Sequence, residues 1–281
     1  MKISLAYSPD TDDAFMVEAL KSKSIDSRGF EFEFISDDIQ ALNKKAMQGT
    51  FDITAISIAA YPFIASKYAM LSSGASIGNN YGPKLVCSLS NYSRFKNLDQ
   101  IKTMRIAIPG KQTSAYFAAR DLLGEFATFE MRFDQINQAI DNSAVDAGLL
   151  IHELQLNPES QGLAVLADLG QLWHKKYSLP LPLGANAIKR ELGHELIKEL
   201  SDLYLDSINW GLNNRRATIN AALAATGRDL NDKESDRYIS MYVNDDTVNM
   251  GDPVKTAVYK LLDIGYKFQL SPKFTLDPFT W

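Results

Sequence analysis

The chain has 281 residues, 46% apolar and 22% charged, the balance of a folded protein with core enough for about two domains. Its net charge of -5 and pI near 5.3 argue against nucleic acid or an anionic membrane as the main partner. A single cysteine, Cys87, excludes an intrachain disulfide, and no run of ~18 apolar residues offers a membrane span.

Ile3 to Tyr7 alternates as a short strand and runs into Ser8-Pro9. The segment lacks the apolar stretch of about 7–15 residues that a secretory signal needs, so a cytoplasmic protein is expected. Asp10, Asp12 and Asp13 then precede a helix over Ala14–Leu20. Three carboxyls suggest a cation site or a favourable charge at a helix start. The spacing lacks the glycine and distal glutamate of a calcium loop, which favours the helix start.

Phe30 to Phe34 alternates strictly as a half-buried strand, and Asp37–Met47 is an amphipathic helix ended by Gly49. Phe51–Ile56 is the next strand, with Ser57 placed to cap a helix running to about Lys67. Strand and helix alternate here, which predicts a parallel α/β lobe. Small and turn-forming residues over 72–83 lead to Leu85–Ser88, expected to be the crossover into a second lobe. Cys87 within it reads as a small core residue.

The second lobe repeats the pattern. Met104–Ile108 is a strand, Pro109-Gly-Lys-Gln112 a tight loop, and Thr113–Leu123 a strong helix. A strand, a glycine-containing loop and a Thr/Ser helix start suit a carboxylate or phosphate, with Lys111 adding positive charge; a merely well-capped helix fits equally well. Met131–Phe133 is read as a short strand, Phe133–Ile140 as a helix and Leu163–Asp168 as a further strand.

Between these lies Val145-Asp-Ala-Gly-Leu-Leu-Ile-His-Glu153, a buried strand ending on His152 and Glu153. Ligands of open α/β sheets bind beyond the carboxyl ends of strands. A histidine there serves as proton acceptor or donor near neutral pH, or as a hydrogen-bonded loop residue. Leu179-Pro-Leu-Pro-Leu-Gly184 is too proline-rich for a central strand and reads as the return crossover. The remainder is expected to be helical: 187–193, 194–213, 215–226, 232–242 and 254–266, with His174 and His194 on the surface.

Several blocks together carry a family resemblance. They are Ser8-Pro9 with Asp13-Ala-Phe15, Ser57-Ile-Ala-Ala-Tyr61, Leu71-Ser-Ser-Gly-Ala75, Gly82-Pro83, Pro109–Phe117, Asp146–Glu153, Leu179–Gly184 and Tyr242-Val-Asn244. The chain resembles, nearly end to end, the menaquinone-biosynthesis family of the futalosine pathway. That family includes 1,4-dihydroxy-6-naphthoate synthase and chorismate dehydratase, and the Gly-Leu-Leu-Ile-His-Glu and Leu-Pro-Leu-Pro-Leu-Gly blocks point to the naphthoate synthase branch.

The resemblance implies an α/β, two-lobed, periplasmic-binding-protein type II-like fold with a ligand cleft between lobes. It divides the chain into residues 1–88 plus 188–281 and an inserted 89–187. It implies a lyase acting on cyclic dehypoxanthinyl futalosine, a carboxylate-bearing small molecule, with no metal or redox cofactor. His152 matches the general base, and Ala55, Ile56, Ser57, Thr113, Ser114 and Ala115 fall at ligand-contacting positions. The first loop departs from the branch: Ser-Pro-Asp-Thr-Asp-Asp-Ala-Phe stands where Ser-Pro-Cys-Pro-Asn-Asp-Thr-Phe is common. A solute-binding protein without chemistry, and chorismate dehydration, are the competing expectations.

Overall fold

The computed structural model describes residues 1–95, 97–227 and 231–280. Along the chain run β1 (Lys2–Tyr7), α1 (Thr11–Lys21), β2 (Glu31–Ser36), α2 (Ile39–Gln48), β3 (Ile53–Ser57), α3 (Tyr61–Ile64), β4 (Tyr68–Met70) and β5 (Ser76–Gly78). Next come β6 (Lys84–Ser88), α4 (Leu89–Tyr92), β7 (Arg105–Ile108), α5 (Ser114–Leu123), β8 (Ala127–Glu130), α6 (Ile136–Asp141), β9 (Ala147–Leu150), β10 (Leu163–Asp168) and α7 (Leu169–Tyr177). After β11 (Leu181–Lys189) the chain turns helical: α8 (His194–Asn213), α9 (Arg215–Thr226), α10 (Asp232–Tyr242), α11 (Asp245–Val248) and α12 (Asp252–Lys267).

These elements form two sheets in two lobes, as the alternating pattern predicts. The first has the order β2-β1-β3-β11-β4, with β5 paired to β11. The second has the order β10-β6-β9-β7-β8. In each, the alternating α/β segment supplies parallel pairs (β1 with β2 and β3; β7 with β8 and β9), while β11 and β6 pair antiparallel to their neighbours. Strand β3 is buried along its whole length, including Thr54, whose hydroxyl donates to the Ala55 carbonyl at 3.0 Å.

Helix ends follow local chemistry. Asp38 caps α2 by accepting the Gln40 and Ala41 amides, and Gly49 closes it at φ 75°, where an L side chain is strained. Asp168 caps α7 in the same way. Beneath the helices, one core joins Ile3, Leu5, Phe15 and Val17 to Leu203, Tyr204 and Ile239. A second spans both lobes, with Ile56, Ile58 and Tyr61 beside Ile106, Ile108, Phe117, Leu149 and Leu261. Each such buried apolar side chain contributes about 1.5–3 kcal/mol.

Some expectations are overturned. Leu85–Ser88, expected to be the crossover, belongs to β6 and pairs within the second sheet between β9 and β10. Leu181–Lys189, which includes the end of the segment read as the return crossover, is a central strand despite Pro182. Pro182 lies where β11 meets the short β5 with an irregular register, and Gly184–Ile188 make the regular pairing to β3. Residues 187–189, expected to be helical, end that strand. The second lobe's edge strand is Ala127–Glu130, earlier than Met131–Phe133, because its pairing with β7 fixes the register.

Candidate active site between the sheets

Four parallel strands end at one place. Beyond β1 come Ser8, Asp10, Asp12 and Asp13; β3 ends at Ala55, Ile56 and Ser57; β7 leads to Thr113, Ser114 and Ala115; β9 is followed by Ile151. All line one cavity of about 90 Å³, completed by residues such as Ser76, Leu183, Tyr238 and Tyr242. Convergence of carboxyl-terminal strand ends is where α/β sheets bind ligands. The six expected contact residues, Ala55, Ile56, Ser57, Thr113, Ser114 and Ala115, are thus brought together.

At one end lies the start of α5. The Thr113 hydroxyl accepts the Tyr116 amide at 3.3 Å and donates to the Gly110 carbonyl at 2.7 Å. The Ser114 hydroxyl donates to the Leu183 carbonyl at 2.6 Å and accepts the Ala59 amide at 3.1 Å. Side chains here therefore hold the framework, and the helix-start amides of Ser114 and Ala115 are the donors an anion would meet. Lys111 is exposed and is not among the residues lining the cavity, contrary to expectation.

Ser57 also differs from its expected capping role. Its amide donates to Asn43 Oδ1 at 2.9 Å, and Asn43 Nδ2 donates to the Ser57 hydroxyl at 3.2 Å. Ser57 makes no side-chain cap, and the helix after it is a short turn plus α3, ending at Ile64. Asn43 and Asp38 are framework residues, the one holding Ser57 and the other capping α2. Asn244 is another, capping α11 through the Asp246 amide at 3.0 Å.

The other end of the cavity is acidic. Asp13 accepts the Ser8 amide at 2.8 Å, Asp10 accepts the Ser8 hydroxyl at 2.7 Å, and Asp12 accepts Ser76 Oγ at 2.8 Å and the Tyr238 hydroxyl at 3.4 Å. Burial pushes Asp12 up to about 6 and Asp13 up to about 8. Burial, with the nearby Glu153 and Asp12 charges, also holds Asp10 well above the usual carboxylate range. Burial likewise keeps Tyr238 and Tyr242 neutral far into the alkaline range. The helix-start reading of these aspartates is incomplete, since folding makes them a wall of the cavity.

His152 follows Ile151, which lines the cavity, but is not itself a lining residue. Its side chain is 1% exposed, with the ring against Phe133 at a centroid distance of 4.8 Å. The neighbouring Glu153 reaches the first lobe, where its carboxylate accepts from the Thr11 amide and hydroxyl. His174 and His194 are exposed, as expected. Sequence reasoning did not single out Ser76, Tyr238 or the role of Leu183 and Tyr242. The only signal was their place inside or near blocks of family resemblance. Among the described residues no cluster of three or more metal-ligating side chains occurs, and no helix is long and apolar enough to cross a membrane.

A sequence model described as menaquinone biosynthesis matches residues 3–267. The chain belongs to the menaquinone biosynthesis family. Two relatives named 1,4-dihydroxy-6-naphthoate synthase are similar to it. The one from Thermus thermophilus is 30% identical over 259 residues, 92% of each chain. The one from Streptomyces coelicolor is 28% identical over 268 residues, 92% of this chain and 91% of that one. A crystal structure of an Archaeoglobus fulgidus protein superposes with a TM-score of 0.88 at 38% identity, covering 96% of this chain and 98% of that one. The alkanesulfonate-binding protein of Xanthomonas axonopodis pv. citri, bound to MOPS, superposes at 0.74 with 14% identity, covering 98% and 96%. That last likeness shows the fold, a periplasmic-binding-protein type II-like arrangement, and the family members support a role in menaquinone biosynthesis.

Proposed function

We propose that this family member is a lyase that cleaves cyclic dehypoxanthinyl futalosine to 1,4-dihydroxy-6-naphthoate and a sugar-derived fragment, with His152 as general base. The observation that carries this reading is the meeting, in one interlobe cavity, of the α5 start and the strand-end loops, in a chain with two naphthoate synthase relatives. The polarity of the cavity sets the direction of binding. Among the described residues no lysine or arginine lines it, so a carboxylate is best placed at the amides of Ser114 and Ala115, away from the acidic end. The hydroxylated part of the same molecule then meets Ser8, Ser76, the accepting Asp12, and Asp13, whose carboxyl, pushed by burial up to about 8, donates as well as accepts.

General base action requires the His152 imidazole to turn from Phe133 toward the space beside Ile151. Catalytic hydrogen bonds often form only once substrate is seated. The cavity, about 90 Å³, is smaller than the roughly 300–1,000 Å³ of ordinary ligand pockets, so entry requires the lobes to part. Re-closure expels water and places the base. Incubating the purified protein with cyclic dehypoxanthinyl futalosine and following the naphthoate chromophore tests the reading. Binding without a chromophore would favour a solute-binding role, in keeping with the shared fold, and turnover of chorismate instead would favour the sister dehydration.

A further inference from the structure

The Glu153–Leu156 turn after β9 fastens the second lobe to helices of the first. Glu153 Oε1 accepts the Thr11 amide at 2.9 Å and the Thr11 hydroxyl at 2.6 Å. Gln155 Nε2 donates to the Tyr242 hydroxyl at 3.0 Å, while the Gln155 amide returns to the His152 carbonyl at 2.9 Å. Thr11, Glu153, Gln155 and Tyr242 are all buried.

Thr11 is the first residue of α1, and Asp10 before it makes no side-chain cap. A helix cannot satisfy its own first amides. Here one of them is satisfied by a carboxylate from the opposite lobe, a charge-assisted bond that the helix dipole favours. Ligand entry requires the lobes to separate, and that separation breaks this bond.

We infer that Glu153 is a positioning residue: by capping α1 across the cleft, it ties closure of the lobes to the placement of the adjacent His152. The catalytic half of this inference rests on His152 being the base; the conformational half does not. Burial is what mainly disfavours ionisation of Asp10 and Asp12, and the Glu153 charge brought beside them adds to it.

Thr11→Pro provides a clean break. Asp10 has φ -94° and ψ 152°, a conformation that precedes proline comfortably, and the first helical position accepts the ring. Small-angle X-ray scattering without ligand reads closure independently of chemistry. Thr11→Pro and Glu153→Ala are expected to increase the radius of gyration, and Glu153→Gln, which keeps the accepting oxygen, to restore the wild-type value.

In the futalosine assay, each of Thr11→Pro and Glu153→Ala is expected to lose about tenfold or more in kcat, because misplacement of a catalytic group acts on the chemical step. The double variant should lose no more than the worse single one, since both remove one contact. Glu153→Gln should recover most of the loss. An unchanged radius of gyration in both variants, or additive losses in kcat, overturns the proposal. If the wild-type protein does not turn this substrate over, the lyase reading fails, and the scattering result alone decides the latch.

Discussion

Asn43 and Ser57 hold each other by two hydrogen bonds, amide to Oδ1 at 2.9 Å and Nδ2 to hydroxyl at 3.2 Å, with Asn43 fully buried. This exchange ties α2 to the end of β3 just where β3 reaches the cavity. Asn43→Ala leaves the Ser57 amide buried without its acceptor, at a cost of about 1–3 kcal/mol. Urea denaturation should show that loss, and Asn43→Asp, which retains the acceptor, should lose less. Equal losses in the two variants would show that the acceptor is not what matters.

The acidic wall predicts an unusual pH dependence. Asp12 and Asp13 move from a reference of 3.8 to about 6 and about 8 on folding, so the folded protein holds protons that the unfolded chain releases. Their stabilisation is fully present below about 3.8 and is lost as pH rises through about 6 and then about 8. Each proton held contributes a slope of about 1.4 kcal/mol per pH unit. Asp146, held below the usual range by its hydrogen bond to Arg105, acts in the opposite sense only at lower pH. Ligand-free protein should therefore be more resistant to denaturant at about pH 5 than at about pH 8, and Asp13→Asn should flatten the difference. A midpoint that rises from pH 5 to pH 8 would contradict the buried, protonated state.

His152→Ala should lower kcat by about 10²–10⁴, the range of general acid–base assistance, with substrate still binding. Single-turnover kinetics and calorimetric titration separate the two effects. Turnover within a few-fold of wild type would remove His152 as the base and direct attention to Asp12, whose carboxyl, at about 6, lines the cavity.

The anion-binding role of the α5 start is separable from its framework role. Ser114→Ala and Ser114→Pro both lose the hydroxyl that bridges Ala59 and Leu183, but only proline also removes the amide. Thr113, at φ -87° and ψ 144°, suits a following proline. A hydrogen bond to a charged group contributes about 1.5–3 kcal/mol, so Ser114→Pro should bind naphthoate roughly ten- to a hundred-fold more weakly than Ser114→Ala. Equal affinities would place the carboxylate elsewhere.

Much of this molecule is determined by local sequence. Apolar periodicity and terminating residues mark α8, α9 and α10 at their observed ends, and Asp38 and Gly49 bound α2 because capping is a matter of adjacent atoms. Strands β3, β7 and β9 also follow from sequence, and the family resemblance supplied six of the cavity's lining residues, at the end of β3 and the start of α5. Other features depend on partners distant along the chain. Leu181–Lys189 is a central strand because β3 and β4 flank it, which outweighs Pro182. Three aspartates that look like a helix start become walls of the cavity, and burial raises their carboxyls above the usual carboxylate range. Thr11 and Glu153, 142 positions apart, meet only when two lobes do. Hydrophobic period and capping act over a few residues, whereas desolvation and interlobe hydrogen bonds exist only after the chain has brought those surfaces together.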